Sequence, residues 1–382
     1  MGEASLLNTT LPARTDFLRN KGMVRHRSRA MTFGLRNEQE RNRFRSDTSD
    51  ALLARSYQFH DWELFVQSPD SFRTRLRVSG GQRGEKAWKQ GALVPSTRAT
   101  AYGLGLDLTG DPRNRLSTTF TYRELRILDS AVTVARPEET YLARIDHDLV
   151  LWKGVVNWQL FYEFGSGLEQ QREYIYVQVP AGQGVYIWND YNGNGIKELN
   201  EFEVANFGYE ADHIRVYVQT NNYVRIYNNQ LSASLDLRPA AAWENATGIR
   251  KGIAKFSDLA SFRTDRKTGA DDLGKVVDPF RLDPTDSALV AFNSSVRNTL
   301  YYDRSSRVWS VDHTYQNDRT KSLLQNGSES RARENNVLRL RVNITRHWTL
   351  ELEGETGRSS SLSDLIEGRT FDVGQDVLRP RV

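Results

Sequence analysis

Polar and apolar positions alternate with a period of two over most of the chain, and the clearest case is the stretch around Arg346. Folded as a hairpin there, Leu338, Leu340, Val342 and Ile344 share a face with Trp348, Leu350 and Leu352. The same fold sets Arg341 opposite Glu351 and Arg339 opposite Glu353, giving one apolar face and one ladder of opposite charges. A second hairpin turns at Gly110–Asn114 about Pro112 and pairs Leu108 with Leu116, Leu104 with Phe120 and Tyr102 with Tyr122. Gly103, Gly105, Asp107, Ser117 and Arg123 lie on its other face. A third, turning at Ser305–Ser306, is predicted to pair Tyr302 with Trp309, Leu300 with Val311 and Val296 with Tyr315. Trp152, Val156, Trp158, Leu160, Tyr162 and Phe164 alternate with polar residues in another strand, although Val155 and Phe161 interrupt its polar side. Segments of this kind reach about ten residues or more, against the usual five or six of globular strands.

Long strands, tight turns alternating with longer polar loops, and aromatics near strand ends predict an all-β, antiparallel, long-stranded meander. The architecture expected is an outer-membrane β-barrel or partial barrel, with membrane lipid against the apolar side. The alternative is a soluble, secreted antiparallel sandwich, whose strands alternate in the same way. The expected organisation is an irregular segment over 1–20, a barrel-like domain over 21–356 with a loop insertion at about 180–213, and a Ser-rich polar tail over 357–382. The stretches Thr264–Asp286, with Asp271, Asp272, Asp278 and Asp283, and Thr320–Asn335 read as solvated loops.

Composition narrows this picture. Eight Trp, sixteen Tyr and sixteen Phe in a chain only 38% hydrophobic suit two-faced strands. A net charge of +4 over 382 residues is too small for a nucleic-acid surface, and the basic series Lys21, Arg25, Arg27, Arg29, Arg36, Arg41, Arg43 and Arg45 reads as a solvated strand face. With no cysteine, disulfides, thiolate zinc sites and cysteine nucleophiles are excluded. Met1–Asn20 has no basic region followed by an apolar core, and no apolar run is long enough for a membrane helix. The expected outer-membrane location therefore implies a leader absent from this chain, and the tail, which does not close on an aromatic residue, is read as a sign of truncation.

The strongest chemical signal is Asp190-Tyr-Asn-Gly-Asn-Gly-Ile-Lys-Glu-Leu-Asn-Glu201, which satisfies the calcium-loop pattern D-x-[DN]-x-[DN]-G-x5-E. Asp190, Asn192 and Asn194 offer side-chain oxygens, Ile196 its carbonyl, Glu198 a direct or water-mediated contact, and Glu201 a bidentate carboxylate. Gly195 stands where the backbone must turn sharply around a Ca2+ ion. Asn in place of Asp at two positions predicts weak affinity. The bland alternative is a glycine-rich hairpin turn. No zinc-binding histidine spacing, nucleophile elbow or phosphate loop is present, so no enzymatic role is expected. A carboxylate-based hydrolase using residues such as Glu163, Glu169 and Glu173 is the third reading.

The stretch Gly184–Phe207, continuing to Ile214-Arg-Val-Tyr217, resembles a recurring segment of large Bacteroidetes-type cell-surface and outer-membrane β-proteins, some of them giant barrels of type 9 secretion and gliding. That resemblance covers about a tenth of the chain. It implies an envelope location, a role in translocation, anchoring or adhesion, other envelope proteins as partners, and Asp190, Asn192, Asn194 and Glu201 as a cation loop.

Overall fold

The computed structural model describes residues 2–11, 13–69, 71–269, 273–281, 289–324, 327–363 and 369–381. About 70% of the residues lie in strands and 6% in helices, which makes the protein an all-β antiparallel meander. Two compact units divide the chain.

Unit 1, residues 1–149 and 159–167, contains β1 (Gly2–Leu11), β2 (Ala13–Arg27), β3 (Thr32–Ser46), β4 (Tyr57–Gln67), β5 (Thr74–Lys89), β6 (Ala92–Asp111), β7 (Asn114–Ile127) and β8 (Glu138–Leu151), with part of β9 (Val156–Gln178). From β1 to β8, each strand pairs antiparallel with the next. The hairpin at Gly110–Asn114 has the expected register, with Leu108 opposite Leu116, Leu104 opposite Phe120 and Tyr102 opposite Tyr122. One row runs Val24, Leu35, Leu64, Gly80, Tyr102, Tyr122 and Tyr141 across seven strands. Among the described residues its large members stand exposed or half-exposed: Val24 is 71% exposed, Leu64 54% and Tyr102 57%, with Tyr122 and Tyr141 half-exposed. The opposite face carries Arg19, Lys21, Glu38, Glu40, Glu63 and Arg77. On it Phe65 lies over Gly34, where a Cβ would come within 2.1 Å of the ring, so only glycine lets the ring settle on the strand.

Unit 2, residues 150–158 and 168–382, holds the rest of β9, a short hairpin β10 (Tyr186–Trp188) with β11 (Phe202–Val204), and the strands β12 (His213–Leu237), β13 (Phe256–Thr268), β14 (Leu289–Tyr302), β15 (Trp309–Leu324), β16 (Gly327–Asn343), β17 (Thr349–Ser363) and β18 (Phe371–Arg381). Among the described residues three short helices interrupt it, α1 (Ala240–Trp243), α2 (Ile249–Ala254) and α3 (Leu273–Val277). β12 to β18 again pair antiparallel in chain order. The hairpin around Arg346 pairs Leu340 with Leu352, Val342 with Leu350, Arg339 with Glu353 and Arg341 with Glu351, as the alternation predicts.

Several expectations are corrected. Tyr302 pairs with Val311 and Leu300 with His313, two residues beyond the predicted register. The turn at Ser305–Ser306 is longer than two residues and includes Asp303 at φ 53°; a shift of two keeps every side chain on its face. The described residues of 1–20 are not irregular but lie in β1 and the start of β2, where Leu6 pairs in register with Leu18 and a backbone ladder stands in for a strong apolar pattern. Nor do the described residues of 357–382 form a polar tail. Ser359, Ser360 and Ser361 belong to β17, and β18 is clamped to it by Arg379 on Glu353 and Arg358 on Asp372. Thr320–Asn335 is mostly strand, since two-sided polar ends still satisfy their backbone groups across the ladder. Trp152–Gly154 form a 3-10 turn rather than the start of a strand. In Thr264–Asp286, β13 continues to Thr268 and α3 packs on the sheet: Val276 is fully buried, and Asn229 donates to the carbonyls of Val276 and Val277. Asp271, Asp272 and Asp283 lie outside the described residues.

Candidate functional site

The insertion between β9 and β12 builds a pedestal and a loop. In the pedestal, Tyr186 pairs with Val204 and His213, and Trp188 with Phe202, so four aromatic or imidazole rings converge. Tyr176 stacks on Phe202 at 3.9 Å between centroids and meets Tyr186 at 5.0 Å, while the Phe202 and His213 rings are 5.0 Å apart. Such offset and edge contacts between large rings fix the base of the loop more firmly than its polar sequence would.

All six expected ligand residues lie on this loop. Gly193 and Gly195 donate backbone N–H bonds to Asp190 Oδ1 at 2.7 Å and Oδ2 at 2.8 Å. Asn194 N–H donates to Asn192 Oδ1 at 2.9 Å, and Ile196 N–H to Asn194 Oδ1 at 2.6 Å. These bonds coil the backbone around the three side chains, and glycines at φ 68° and 72° allow the left-handed steps. Asn192 Nδ2 donates to Glu198 Oε2 at 3.0 Å.

Glu201 differs from the other five, being only 1% exposed. Its Oε2 accepts from Trp188 Nε1 at 2.9 Å and from the Glu198 N–H at 3.3 Å, whereas Oε1 is buried without a hydrogen-bond partner. Among the described residues no three His, Asp or Glu side chains cluster as metal ligands. A cation held here would therefore depend on Asp190, the two Asn carbonyls and Glu201. Each of the four loop oxygens that accept an N–H, two of Asp190 and one each of Asn192 and Asn194, keeps a second lone pair, and the orphaned Glu201 Oε1 is the atom a cation would satisfy.

Sequence reasoning missed the residues that lock the loop down. Lys197 Nζ lies 2.9 Å from His213 Nε2, and His213 Nδ1 lies 2.6 Å from Asp212 Oδ1. An ammonium only donates, so Nε2 accepts and the Nδ1–H donates to Asp212. His213 is 2% exposed. Its role rests on the pairing of β10 with β12, which no local spacing announces. Trp188 was legible as apolar, but not as a donor to Glu201. On the loop's outer side, hydrogen bonding to the Glu203 carboxylate raises the Tyr191 phenol above its ordinary value.

The polar faces form the second polar constellation. Arg339 contacts Asp312 at 3.6 Å and Glu353 at 3.0 Å, and Arg379 bridges Glu353 at 2.6 Å and Glu355 at 2.9 Å. Arg341, although opposite Glu351 in register, instead donates to the Ser306 carbonyl at 3.2 Å. In unit 1, Arg19 pairs with Glu38 at 2.9 Å and Glu40 at 3.4 Å, and Arg77 with Glu63 at 2.8 Å. Lys21 and Arg36 from the basic series also reach Glu38, which makes that series part of a mixed-charge strand face.

No family model and no curated protein matches the chain. Among solved structures, it is similar over 99% of its length to a mutant of the ferric enterobactin receptor PfeA from Pseudomonas aeruginosa, at 9% identity, 71% coverage of that chain and a TM-score of 0.31. It is similar over the same share to OccAB1 of Acinetobacter baumannii, at 10% identity, 94% coverage and a TM-score of 0.25. Likenesses of this size carry no functional weight, and the strand geometry has to carry the reading.

Proposed function

We propose that the chain forms part of an outer-membrane β-barrel, with its apolar face against lipid, its charged face against water, and a non-enzymatic role in transport, anchoring or adhesion. The observation that carries this is the uncovered row from Val24 to Tyr141, backed on the other side of the same strands by ion pairs. A soluble sandwich would bury that row against a second layer, whereas among the described residues Leu64, Tyr102 and Leu104 stand exposed. From Tyr102 to Leu108 the apolar side of β6 extends about 20 Å along the strand at roughly 3.3 Å per residue. Where such a face meets lipid, the polar face is free to line water, and its Arg–Glu pairs avoid full desolvation. Within this reading, the likeness of Gly184–Tyr217 to Bacteroidetes-type surface proteins favours an envelope role alongside other envelope proteins. Directed to the envelope of a Gram-negative host, the protein is expected to fractionate with outer membranes and require detergent. A monodisperse soluble β-protein would contradict the proposal.

We further infer that the loop Asp190–Glu201 takes up a calcium ion weakly, with Asp190, Asn192, Asn194 and Glu201 as side-chain ligands, the Ile196 carbonyl beside them, and Glu198 direct or through water. The unpartnered Oε1 of Glu201 supports this reading. Calcium is expected to raise the melting temperature of the parent and to leave the double variant Asp190→Ala, Glu201→Ala unchanged. A parent without any calcium response would exclude the site.

A further inference from the structure

In unit 2 the β12–β13, β14–β15 and β16–β17 connections lie at one end of the meander, and hydrogen bonds join them into a continuous rim. Arg238 N–H donates to the Val155 carbonyl at 2.7 Å, which ties the Trp152 turn to α1, and Asp303 N–H donates to the Lys255 carbonyl at 2.8 Å. Asn343 N–H donates to the Val308 carbonyl at 2.8 Å, and its side chain to the Arg307 carbonyl at 2.8 Å. The rim is thus built rather than a set of independent loops.

Two features of its surface stand out. Large apolar groups face solvent: Trp152 is 71% exposed, Ile249 84% and Trp348 60%. Phe256, Tyr302 and Trp309 continue them onto the apolar face, with centroids 4.9 and 5.3 Å apart in sequence. Between them stand the exposed cations Lys153, Arg250, Lys251, Arg304, Arg307 and Arg346, none of which has an ion-pair partner among the described residues. The strand-face arginines Arg339 and Arg379, by contrast, are fully engaged with carboxylates. Asp303 is taken up by Lys255, so Glu244 is the one exposed carboxylate on α1, α2 and these turns. At the opposite end of the unit, the insertion carries Asp190, Glu198, Glu201, Glu203, Glu210 and Asp212 against Lys197 alone.

We propose that this rim docks on an anionic phospholipid surface, its tryptophans and isoleucines entering the headgroup layer and its unpaired cations meeting phosphates. The inference rests on the membrane reading above and adds to it a headgroup charge and an orientation. Aromatic rings anchor at the headgroup level, and each basic residue near an anionic leaflet adds attraction that salt screens. The acidic insertion at the opposite end disfavours the inverted arrangement. In unit 1, Arg29, Arg73 and Arg113, in the β2–β3, β4–β5 and β6–β7 turns, are likewise exposed and carry no ion pair among the described residues.

The test dilutes the full chain from detergent into vesicles of phosphatidylcholine alone, or of phosphatidylcholine with phosphatidylglycerol, and follows tryptophan fluorescence and heat-resistant folding. Partitioning is expected to be about tenfold or more tighter to the anionic vesicles at low salt, and the preference should shrink as salt rises. The triple variant Arg250→Gln, Lys251→Gln, Arg346→Gln is expected to fold into phosphatidylcholine like the parent and to lose the preference. Equal folding of the parent in both vesicles, or a preference that survives in the triple variant, overturns this inference and leaves the barrel reading standing. Failure to enter either vesicle overturns both.

Discussion

The hairpin of β16 and β17 and the loop Asp190–Glu201 are both rich in charged side chains and hold them in opposite ways. In the hairpin, Glu353 is shared between Arg339 and Arg379 along an open strand face, so no single pair determines the structure. In the loop, Glu201 and His213 are almost completely enclosed, and a handful of hydrogen bonds decides the local conformation. A distributed ladder tolerates the loss of one member, whereas a buried carboxylate with one free oxygen does not. On the strands, the decisive matter is what the apolar side meets; on the loop, it is what completes Glu201.

The sharpest way to break this contrast is to place a charge on the apolar side. Leu340→Arg is expected to destabilise the lipid-folded protein by about 2–4 kcal/mol if the face lies at mid-membrane. Denaturant unfolding in vesicles measures it, and a change near zero would mean that the face is wet. Next, Glu201→Ala removes the acceptor of Trp188 Nε1 and is expected to cost about 1–3 kcal/mol in calcium-free buffer. Local hydrogen exchange at β10 and β11 should report that loss, while exchange in β16 and β17 should not change. A smaller effect is expected for Glu353→Gln, about 1 kcal/mol, because Arg339 keeps Asp312 and Arg379 keeps Glu355. An unfolding penalty as large as that of Glu201→Ala would erase the distinction between ladder and loop.

Smallest are two pH effects outside the strands' apolar band. Hydrogen bonding to Lys89 holds the Asp129 carboxyl below its usual value, so the pair's contribution is present above the ordinary carboxylate value of about 3.9 and is lost as pH falls through the lower folded value. Hydrogen bonding to Asp303 raises Lys255, whose contribution is present below the ordinary ammonium value of about 10.4 and is lost as pH rises through the raised folded value. Thermal melts of Asp129→Asn and Asp303→Asn against the parent should show slight destabilisation near neutral pH that disappears at low and at high pH respectively.

The strands were legible wherever the period of two was unbroken. Around Pro112 and Arg346, faces and register follow from Leu, Tyr, Arg and Glu positions alone. At Ser305–Ser306 the faces were right and the register was not, because a six-residue connection closes where a two-residue turn fits the pattern equally well. β1, β18 and the polar ends of β15 and β16 were misread because partner strands, rather than an apolar stripe, fix them. The loop's ligand residues could be named from a spacing rule. Trp188, Lys197 and His213 could not, since Trp188 meets Glu201 only once β10 pairs with β11, and Lys197 meets His213 only once β10 pairs with β12.

The central claim is that the apolar side of these strands faces lipid. Because the chain has no cysteine, single cysteines at Tyr102, Gly103, Leu104, Gly105, Leu106 and Asp107 can each carry one fluorophore in vesicle-folded protein. The account predicts quenching by brominated acyl chains at Tyr102, Leu104 and Leu106, and by aqueous iodide at Gly103, Gly105 and Asp107. Iodide quenching at all six positions, or protection of Tyr102, Leu104 and Leu106 from both quenchers, would contradict it.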